Sequence, residues 1–512
     1  MLTLAEMIHL NYRRHPQKEA FVAADGRVTH GEAAVRAWGL ARALHKRGLG
    51  TGDRVGVLAT SSLFNAEAYL GLAAAGAVYV GYNWRWTPSE LAAGIRETAA
   101  PMILVEPSQE ELLDQALALL STEADRALPL VLRNEQLEKM RLENQAPYRS
   151  RVTLDDPLCI LYTGGSTGTP KGVVLSHRAA AANAINEMVD ARLGARAGDR
   201  GLVVVPLFHS AGLLCWLHTH YVAGATSVIA AKFDEESFVE AAEKEKVTNT
   251  FMIPNMLRRL MQNGVMDEPA VRSSLKAVHT GAGLLRLPDK QRFAELMPDT
   301  DLYFRYGLTE AGPMVTRLRP EDVLRPDVDG SMGQEYFLTQ VKVVDPDGRE
   351  VPDGELGELC VRGPNLMTRY YNRPEETAAA LRGGWLHTGD IVAREDGYYY
   401  FRDRLKEMIK TGGENVYAAE VEQAMHLHPA ILEAAVVGVP DPKWDEEVRA
   451  AVVLRHEATA TEDEIRTFLR QHLAGYKIPK VMAFVQPEEL PRSAAGKLQK
   501  HVLKVQLGWN AQ

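Results

Sequence analysis

Short apolar runs alternate with longer segments of helical periodicity through the first part of the chain. The strand-like runs are 54–59, 78–82, 101–105, 158–161, 201–205, 250–253 and 275–278, and helices are predicted over 65–75 and from Pro88. Parallel strands need long crossover connections, which helices usually supply. The order therefore predicts an α/β fold with parallel sheets that are covered by helices on both faces.

The pattern changes after residue 330. Short strand-like runs with turn signals between them fill 330–401, which is typical of an antiparallel or barrel-like region. After Arg404 comes a smaller mixed segment, with an apolar run at 431–439 and a helix that begins at Thr461. Residues 107–150 are mildly acidic and poor in strand signals, so we interpret them as a variable surface segment.

Composition narrows the class of protein. A chain of 512 residues is too long for one hydrophobic core and predicts two or more domains. Its net charge of −9 argues against a nucleic-acid binder. Cys159, Cys215 and Cys360 are far apart and have apolar neighbours, which favours reduced core cysteines in a cytoplasmic protein. Neither a signal peptide nor an integral membrane segment is expected.

The segment 162–172 carries the strongest chemical signal. It reads Tyr-Thr-Gly-Gly-Ser-Thr-Gly-Thr-Pro-Lys-Gly and follows the apolar run 158–161. Glycines let backbone N–H groups approach a phosphate, while hydroxyls and a lysine add donors and charge. Pro170 before Lys171, and Gly172 after it, distinguish the segment from the GxxxxGK[ST] loop. We predict a cradle for a polyphosphate, with a nucleotide as the expected ligand; the alternative is a flexible surface loop.

Four further motifs follow this loop along the chain. They are Tyr-Gly-Leu-Thr-Glu at 306–310, Thr-Gly-Asp at 388–390, Asp-Arg-Leu-Lys-Glu at 403–407 and Pro-Arg-Ser-Ala-Ala-Gly-Lys at 491–497. With them, the chain resembles the adenylate-forming superfamily from about residue 10 to 505, and most of all a fatty or aryl acid–CoA ligase. This superfamily includes acyl-CoA synthetases, peptide-synthetase adenylation domains and firefly luciferase.

The resemblance implies a domain organisation and a two-step reaction. Residues 1–403 would form a large domain of two parallel-sheet subdomains and a barrel-like subdomain, and 404–512 a small mobile α+β domain. A carboxylate would attack the α-phosphate of ATP to form an acyl-adenylate, and coenzyme A would then displace AMP. The expected cofactors are ATP, Mg²⁺ and coenzyme A. Two alternatives stay open: an adenylation enzyme that loads a carrier-protein thiol, and a non-catalytic scaffold.

The resemblance also assigns residues to ATP. Glu310 and Thr167 would hold magnesium and take part in catalysis, although Glu310 could instead be an exposed loop carboxylate. Asp390 would accept the ribose hydroxyls with Arg404 nearby, unless it is only a turn residue. The other nucleotide contacts are predicted to be Thr163, Gly164, Gly165, Ser166, Gly168, Lys171, Gly281, Ala282, Gly283, Tyr306, Gly307 and Thr309.

Two lysines receive special roles from the resemblance. The cation of Lys497 would meet both the carboxylate and the α-phosphate in the first step. Lys406 would be the hinge about which the small domain rotates, presenting 410–415 to the pantetheine arm of coenzyme A. Lys500, by contrast, is expected to be an ordinary solvated surface lysine.

The two substrate sites are assigned in the same way. Arg85, Trp444, Tyr476 and Lys480 fall where related aryl-CoA ligases contact the CoA nucleotide, with surface packing as the alternative role, and Ile478 stands where some relatives have a basic residue.

Residues 206–212 match the wall of the acyl pocket, with His209 near the carboxylate end or in a structural role. Met188, Ala211 and Gly312 would line a roomy pocket, and these segments offer no obvious cation for a second carboxylate. We expect a monocarboxylic fatty or aryl acid; the oligomeric state stays open, with a homodimer among the alternatives.

Overall fold

The computed structural model describes residues 1–122, 127–143, 146–163, 170–194, 198–283, 285–405, 407–411, 414–456, 458–492 and 498–509. These residues form two compact units. The first contains 1–163, 170–341 and 361–386, and the second contains 342–360 and the described residues from 387 onward. Among the described residues, no helix has the length and apolar character needed to cross a membrane.

The strands of the described residues follow in chain order. They are β1 (Glu19–Ala23), β2 (Gly26–Thr29), β3 (Arg54–Leu58), β4 (Val78–Tyr82), β5 (Met102–Val105), β6 (Leu130–Leu132), β7 (Pro157–Thr163), β8 (Lys171–Ser176), β9 (Arg200–Val203), β10 (Thr226–Ile229), β11 (Asn249–Met252), β12 (Ala277–Gly281), β13 (Asp301–Gly307), β14 (Met314–Leu318), β15 (Gln334–Glu335), β16 (Gln340–Val344), β17 (Leu356–Arg362), β18 (Arg369–Tyr370), β19 (Leu386–Glu395), β20 (Tyr398–Arg404), β21 (Ile409–Thr411), β22 (Glu414–Val416), β23 (Ile431–Asp441), β24 (Asp445–Leu454) and β25 (Val481–Phe484).

The helices lie mostly between consecutive strands. They are α1 (Leu4–Arg14), α2 (His30–His45), α3 (Leu63–Ala75), α4 (Pro88–Thr98), α5 (Glu110–Ser121), α6 (Asn134–Glu143), α7 (His177–Asp190), α8 (Thr219–Val222), α9 (Glu235–Glu245), α10 (Pro254–Gln262), α11 (Pro269–Ser274), α12 (Leu287–Leu296), α13 (Pro374–Ala380), α14 (Ala418–His426), α15 (Glu462–Leu469) and α16 (Lys500–Gln506). A π-helical segment, Ala211–His218, leads directly into α8.

The first unit contains two sheets with parallel centres. A nine-stranded sheet has the order β15-β14-β13-β12-β11-β9-β10-β1-β2, and its strands from β13 to β1 run parallel. A seven-stranded sheet has the order β18-β8-β7-β4-β3-β5-β6 and is parallel from β7 to β6. The predicted parallel sheets are therefore present, and antiparallel strands are added at their edges.

Local sequence explains why these helices begin and end where they do. Ser62 caps α3 by accepting the N–H of Asn65, and Gly76 ends it in a left-handed conformation. Every residue of α3 from Phe64 to Ala75 is buried, including the polar Asn65 and Glu67, as expected for a helix whose other residues are almost all apolar. The predicted helix start at Thr461 is also confirmed, because Thr461 and Glu464 form a capping box.

The second unit is built mainly of antiparallel strands. A four-stranded sheet of order β16-β17-β19-β20 lies in the region predicted to be barrel-like, and β19 pairs antiparallel with β20. A further sheet joins β22, β21, β24, β23 and β25, with α14 and α15 against its core. The expected apolar run at 431–439 is the long strand β23.

The interpretation of 107–150 as a surface segment is only partly correct. It contains β6, which extends the seven-stranded sheet beside β5, and the helices α5 and α6. Leu137 is buried, and the Arg141 side chain is 2% exposed and pairs with the buried Glu67 at 2.8 Å. This pair was not predictable, because a charged residue in a polar helix normally faces solvent.

Candidate active site

The predicted adenine site lies at the carboxyl ends of two neighbouring parallel strands. Gly281 ends β12 and pairs with Arg305 on β13, so Ala282 and Gly283 leave the sheet beside Tyr306. A Cβ atom on Gly281 would stand 2.2 Å from the carbonyl oxygen of Arg305, which explains the glycine. The strand ends of open α/β sheets are the usual position of ligand sites.

The segment with His209 meets the Tyr-Gly-Leu-Thr-Glu motif. The hydroxyl groups of Ser210 and Thr309 share a hydrogen bond of 2.9 Å. His209 is half-buried, and its ring centroid lies 4.3 Å from that of Phe208. The structure therefore brings together two segments that the sequence placed at the acyl and nucleotide sites.

The predicted lining residues of the acyl pocket belong to three elements. Ala211 begins the π-helical segment, Met188 is half-buried on α7, and Gly312 follows the Thr309–Ala311 turn. α7 packs against the π-helical segment. A Cβ atom on Gly312 would stand 1.9 Å from the carbonyl oxygen of Asn365.

Glu310 is held by a tyrosine that sequence reasoning missed. The phenol of Tyr370 donates a hydrogen bond of 2.9 Å to Oε1 of Glu310. Burial, and then the neighbouring Glu310 carboxylate, raise the pKa of Tyr370. The phenol therefore stays protonated and remains a donor. Tyr370 engages Oε1 of this carboxylate, and carboxylate oxygens are hard donors, which suits the predicted role of Glu310 in metal binding.

Lys171 lies at the start of β8, opposite Thr163 at the end of β7. The two residues pair across this antiparallel hairpin, and the intervening Gly164, Gly165, Ser166, Thr167 and Gly168 lie outside the described residues. The Lys171 ammonium forms an ion pair with Glu376 on α13 and lies 4.9 Å from the ring centroid of Tyr370. The hydrogen-bonded Lys171 ammonium, together with Arg373, lowers the pKa of Glu376.

A buried ion pair lies behind these segments. Arg305 and Glu187 are both 0% exposed, with 2.7 Å between Nη1 and Oε2. Burial alone would lower the pKa of Arg305, but the Glu187 carboxylate outweighs it and raises that pKa. The thiol of Cys215 donates to Glu187 at 3.2 Å, and Arg305 also contacts the ring of His279. Four elements, α7, the π-helical segment, β12 and β13, thus meet at one guanidinium.

In the second unit, Asp390 and Arg404 are neighbours on paired strands. Asp390 on β19 pairs with Arg404 on β20, and 3.2 Å separates Oδ1 of Asp390 from Nε of Arg404. The Asp390 side chain is only 2% exposed, whereas that of Arg404 is 47% exposed. The predicted closeness of these two residues is confirmed.

The residues assigned to coenzyme A fall in both units. In the second, the Lys480 ammonium lies 4.4 Å from the ring centroid of Trp444, which is 38% exposed, and Tyr476 is 44% exposed. In the first, the Arg85 guanidinium lies 4.7 Å from the ring centroid of Trp84. Ile478 belongs to the apolar core of the second unit, so an apolar residue fits its surroundings.

The expectation for Lys500 is wrong. Its ammonium pairs with Glu422 at 2.8 Å and with Glu407 at 3.2 Å, and its side chain is 17% exposed. Burial opposes its charge, but the two carboxylates together raise the pKa of Lys500. Lys406 and Lys497 lie outside the described residues, so their roles stay predictions.

Comparisons with known proteins show the family to which the chain belongs. Residues 9–371 match the AMP-binding enzyme family, and residues 420–497 match the AMP-binding enzyme C-terminal domain. Feruloyl-CoA synthase of an Amycolatopsis species is 35% identical over 97% of this chain and 97% of its own length. The fatty acid–[acyl-carrier-protein] ligase ScoC of Streptomyces coeruleorubidus is 32% identical over 98% of this chain and 96% of its own.

A similar solved structure is o-succinylbenzoate CoA synthetase of Bacillus subtilis in complex with ATP and a magnesium ion. It has a TM-score of 0.84 and 26% identity, over 97% of this chain and 99% of that one. The chain belongs to the AMP-binding enzyme family. The predictions of an adenylate-forming fold and of an AMP-forming acid–thiol ligase are thereby confirmed, as is the reaction class of acid activation by ATP followed by transfer to coenzyme A.

Proposed function

We propose that the protein is an acid–CoA ligase that acts on a monocarboxylic aryl or fatty acid. The carboxylate attacks the α-phosphate of ATP, so that pyrophosphate leaves and an acyl-adenylate forms. The thiol of coenzyme A then attacks the acyl carbon, and AMP leaves with the bonding electrons. The observation that carries the proposal is the meeting of Glu310, Tyr370 and Lys171, because it brings a carboxylate that can bind a metal ion close to a lysine that can bind a phosphate.

Glu310 and Thr167 are the proposed magnesium ligands. Carboxylate and hydroxyl oxygens are hard donors that suit Mg²⁺ bridged to phosphates. The hydrogen bond from Tyr370 supports the proposal, since it restrains the Glu310 carboxylate through its Oε1. The Lys171 ammonium would exchange its ion pair with the Glu376 carboxylate for one with the departing pyrophosphate.

The nucleoside contacts are proposed residue by residue. Tyr306 and the exposed turn of Ala282 and Gly283 would face adenine, and Asp390 would accept the ribose hydroxyls. Lys497 is proposed to stabilise the negative charge of the first step. A small domain that begins at residue 404 is proposed to rotate about Lys406 after the acyl-adenylate has formed and before the thiol attacks.

The acid is proposed to be monocarboxylic. Arg305, which stands behind the proposed acyl segments, is already neutralised by Glu187 and is not offered to a second carboxylate. His209, Met188, Ala211 and Gly312 are the proposed pocket residues. An aryl or fatty acid is supported by the feruloyl-CoA synthase and the fatty acid ligase among the relatives.

Trp444, Tyr476, Lys480 and Arg85 are the proposed contact residues for the nucleotide of coenzyme A. An exposed tryptophan with a cation over its ring is a suitable stacking face for an adenosine phosphate. A carrier-protein thiol is proposed as a second acceptor besides coenzyme A, because one relative of similar identity is a fatty acid–[acyl-carrier-protein] ligase. Cytoplasmic location and a homodimer stay expectations from the sequence.

One assay separates these functions. The protein is incubated with ATP, Mg²⁺, coenzyme A and a panel of aryl, fatty and dicarboxylic acids, and pyrophosphate and free thiol are followed together. The proposal expects stoichiometric pyrophosphate release and thiol loss with an aryl or fatty acid. Pyrophosphate without thiol loss would favour the carrier-protein acceptor, and preference for a dicarboxylic acid would refute the proposed substrate class.

A further inference from the structure

Glu358 fastens the turn that carries Asp390 to the neighbouring strand. Glu358 lies on β17, and its Oε1 accepts the backbone N–H of Gly389 at 3.0 Å. Its Oε2 lies 2.7 Å from Nδ1 of His387. One carboxylate thus holds the residues on both sides of Thr388.

Thr388 extends this connection to Asp390. Its hydroxyl donates to the carbonyl oxygen of Leu359 at 2.8 Å and accepts the backbone N–H of Asp390 at 3.1 Å. His387 is therefore connected to β17 through its imidazole, Thr388 through its hydroxyl and Gly389 through its backbone N–H, and Asp390 is connected through the Thr388 hydroxyl.

The conformation of Gly389 explains why a side-chain acceptor is needed here. Its φ of 71° is left-handed, although open space surrounds the position where a Cβ atom would stand. A left-handed residue turns its N–H away from the direction of a regular strand, and a buried N–H without an acceptor is costly. The side chains of Glu358 and His387 are only 13% and 10% exposed, so water competes little for these bonds.

A metal site is the other possible interpretation of this cluster. Cys360 lies two residues from Glu358 on the same face of β17, with its Sγ 3.3 Å from Nδ1 of His387. The three side chains bring their ligand-type atoms within 4.8 Å of one another. Both oxygens of Glu358 are already engaged, however, by Gly389 and His387. This favours a structural carboxylate over a metal ligand.

We propose that Glu358 is a positioning residue that orients the Asp390 carboxylate towards the ribose hydroxyl groups of ATP. The inference rests on the proposed role of Asp390 in the nucleotide site. This positioning role depends on the length of the Glu358 side chain, because that length lets the two oxygens reach Gly389 and His387. It does not depend on the charge of Glu358. Aspartate is one methylene too short to make both contacts, whereas glutamine can accept from Gly389 and donate to His387.

The test compares the binding of ATP and of 2′,3′-dideoxy-ATP by calorimetry, without acid or coenzyme A. The wild type is expected to prefer ATP by roughly 10- to 100-fold, the usual range for hydrogen bonds to a charged group. Asp390→Asn should lose most of this preference. Glu358→Asp should lower it by about tenfold while Glu358→Gln keeps most of it, as does the control Glu355→Ala at an exposed position before β17.

Any other result for these variants would contradict either the positioning role of Glu358 or the ribose contact of Asp390. Full preference in Glu358→Asp would overturn the positioning role, and so would a loss in Glu358→Gln as large as in Glu358→Asp, because charge would then be the cause. An unchanged preference in Asp390→Asn would overturn the ribose contact and the role of Glu358 with it. Since neither acid nor coenzyme A is present, a wrong acid or thiol acceptor leaves the measurement intact.

Discussion

Tyr370 shows how one phenol can serve two charged residues at once. It donates to Glu310, and its ring faces the ammonium of Lys171. A carboxylate that is held by a donor reaches a metal with less loss of side-chain freedom, and removal of such an outer partner commonly weakens metal binding.

Tyr370→Phe is therefore expected to raise the magnesium concentration needed for half-maximal pyrophosphate release by about tenfold. The ring stays, so its packing and its contact with Lys171 are kept. Tyr371→Phe is the matched control, because the hydroxyl of Tyr371 donates to the carbonyl oxygen of Thr98, at 3.3 Å, and not to Glu310. An identical magnesium dependence in the two variants would contradict the role of Tyr370.

The surroundings of Asp403 predict a measurable pH dependence of the free energy of unfolding. Burial, opposed by the cation of Lys500, raises its pKa from 3.8 to about 6, and the Glu407 and Glu422 carboxylates add to the rise. The folded protein therefore binds a proton at Asp403 more tightly than the unfolded chain does. Stability from this group is present below about pH 4 and is lost as the pH rises to about 6.

Asp403→Asn should remove this pH dependence and raise the free energy of unfolding at pH 7.5 by about 1–3 kcal/mol. The lower part of the range allows for a weakened bond from the backbone N–H of Arg404, which donates to Asp403 at 2.7 Å. Calorimetric melting between pH 4 and 8 measures the effect, with Asp347→Asn at a 70% exposed position as control. Equal pH slopes in wild type and Asp403→Asn would show that Asp403 does not titrate in this way.

At the scale of elements, the Arg305–Glu187 pair holds four segments that end at the predicted substrate and adenine sites. Removal of one partner from a buried pair leaves an uncompensated charge, which typically costs about 3–5 kcal/mol. Replacement of both partners by apolar residues of similar volume is far milder.

Arg305→Met should therefore lower the free energy of unfolding by about 3–5 kcal/mol, and adding Glu187→Met should recover much of the loss. Urea denaturation measures both changes. Arg319→Met is the control: its side chain is 42% exposed and lies 3.6 Å from Asp190, so the expected change is below about 1 kcal/mol. A double variant as unstable as the single one would mean that shape, and not charge pairing, makes this site sensitive.

The elements also show what a sequence can and cannot predict. The strand β7 and the Thr163–Lys171 connection were predictable, because a buried apolar run and a glycine-rich segment are local signals. The Arg305–Glu187 pair was not, since its partners are 118 residues apart and Glu187 stands in a helix where a carboxylate usually faces water. Lys500 was misjudged for the same reason: its partners Glu407 and Glu422 are distant in sequence.

At the scale of the whole molecule, the order of the motifs predicted the family, but the distribution of their residues over the two units was not predictable. Glu310, Lys171 and Tyr306 belong to the first unit, whereas Asp390 and Arg404 belong to the second. Each of these two groups of residues is therefore positioned by the packing of its own unit. The proposed hinge at Lys406 follows both Asp390 and Arg404 in the chain, so rotation there would change which of the later residues, such as Lys497, meet the substrate.

The last prediction concerns the proposed hinge at Lys406. Lys406→Pro fixes φ at this residue and should slow the overall ligation while at least one half-reaction stays near the wild-type rate. Lys406→Ala, which keeps φ free, is the matched control and should behave like the wild type. Single-turnover adenylation and thioester formation from supplied acyl-adenylate measure the two steps, with Lys497→Ala as the reference for loss of the first step alone. If both half-reactions and the overall rate stay fast in Lys406→Pro, then Lys406 is not the hinge.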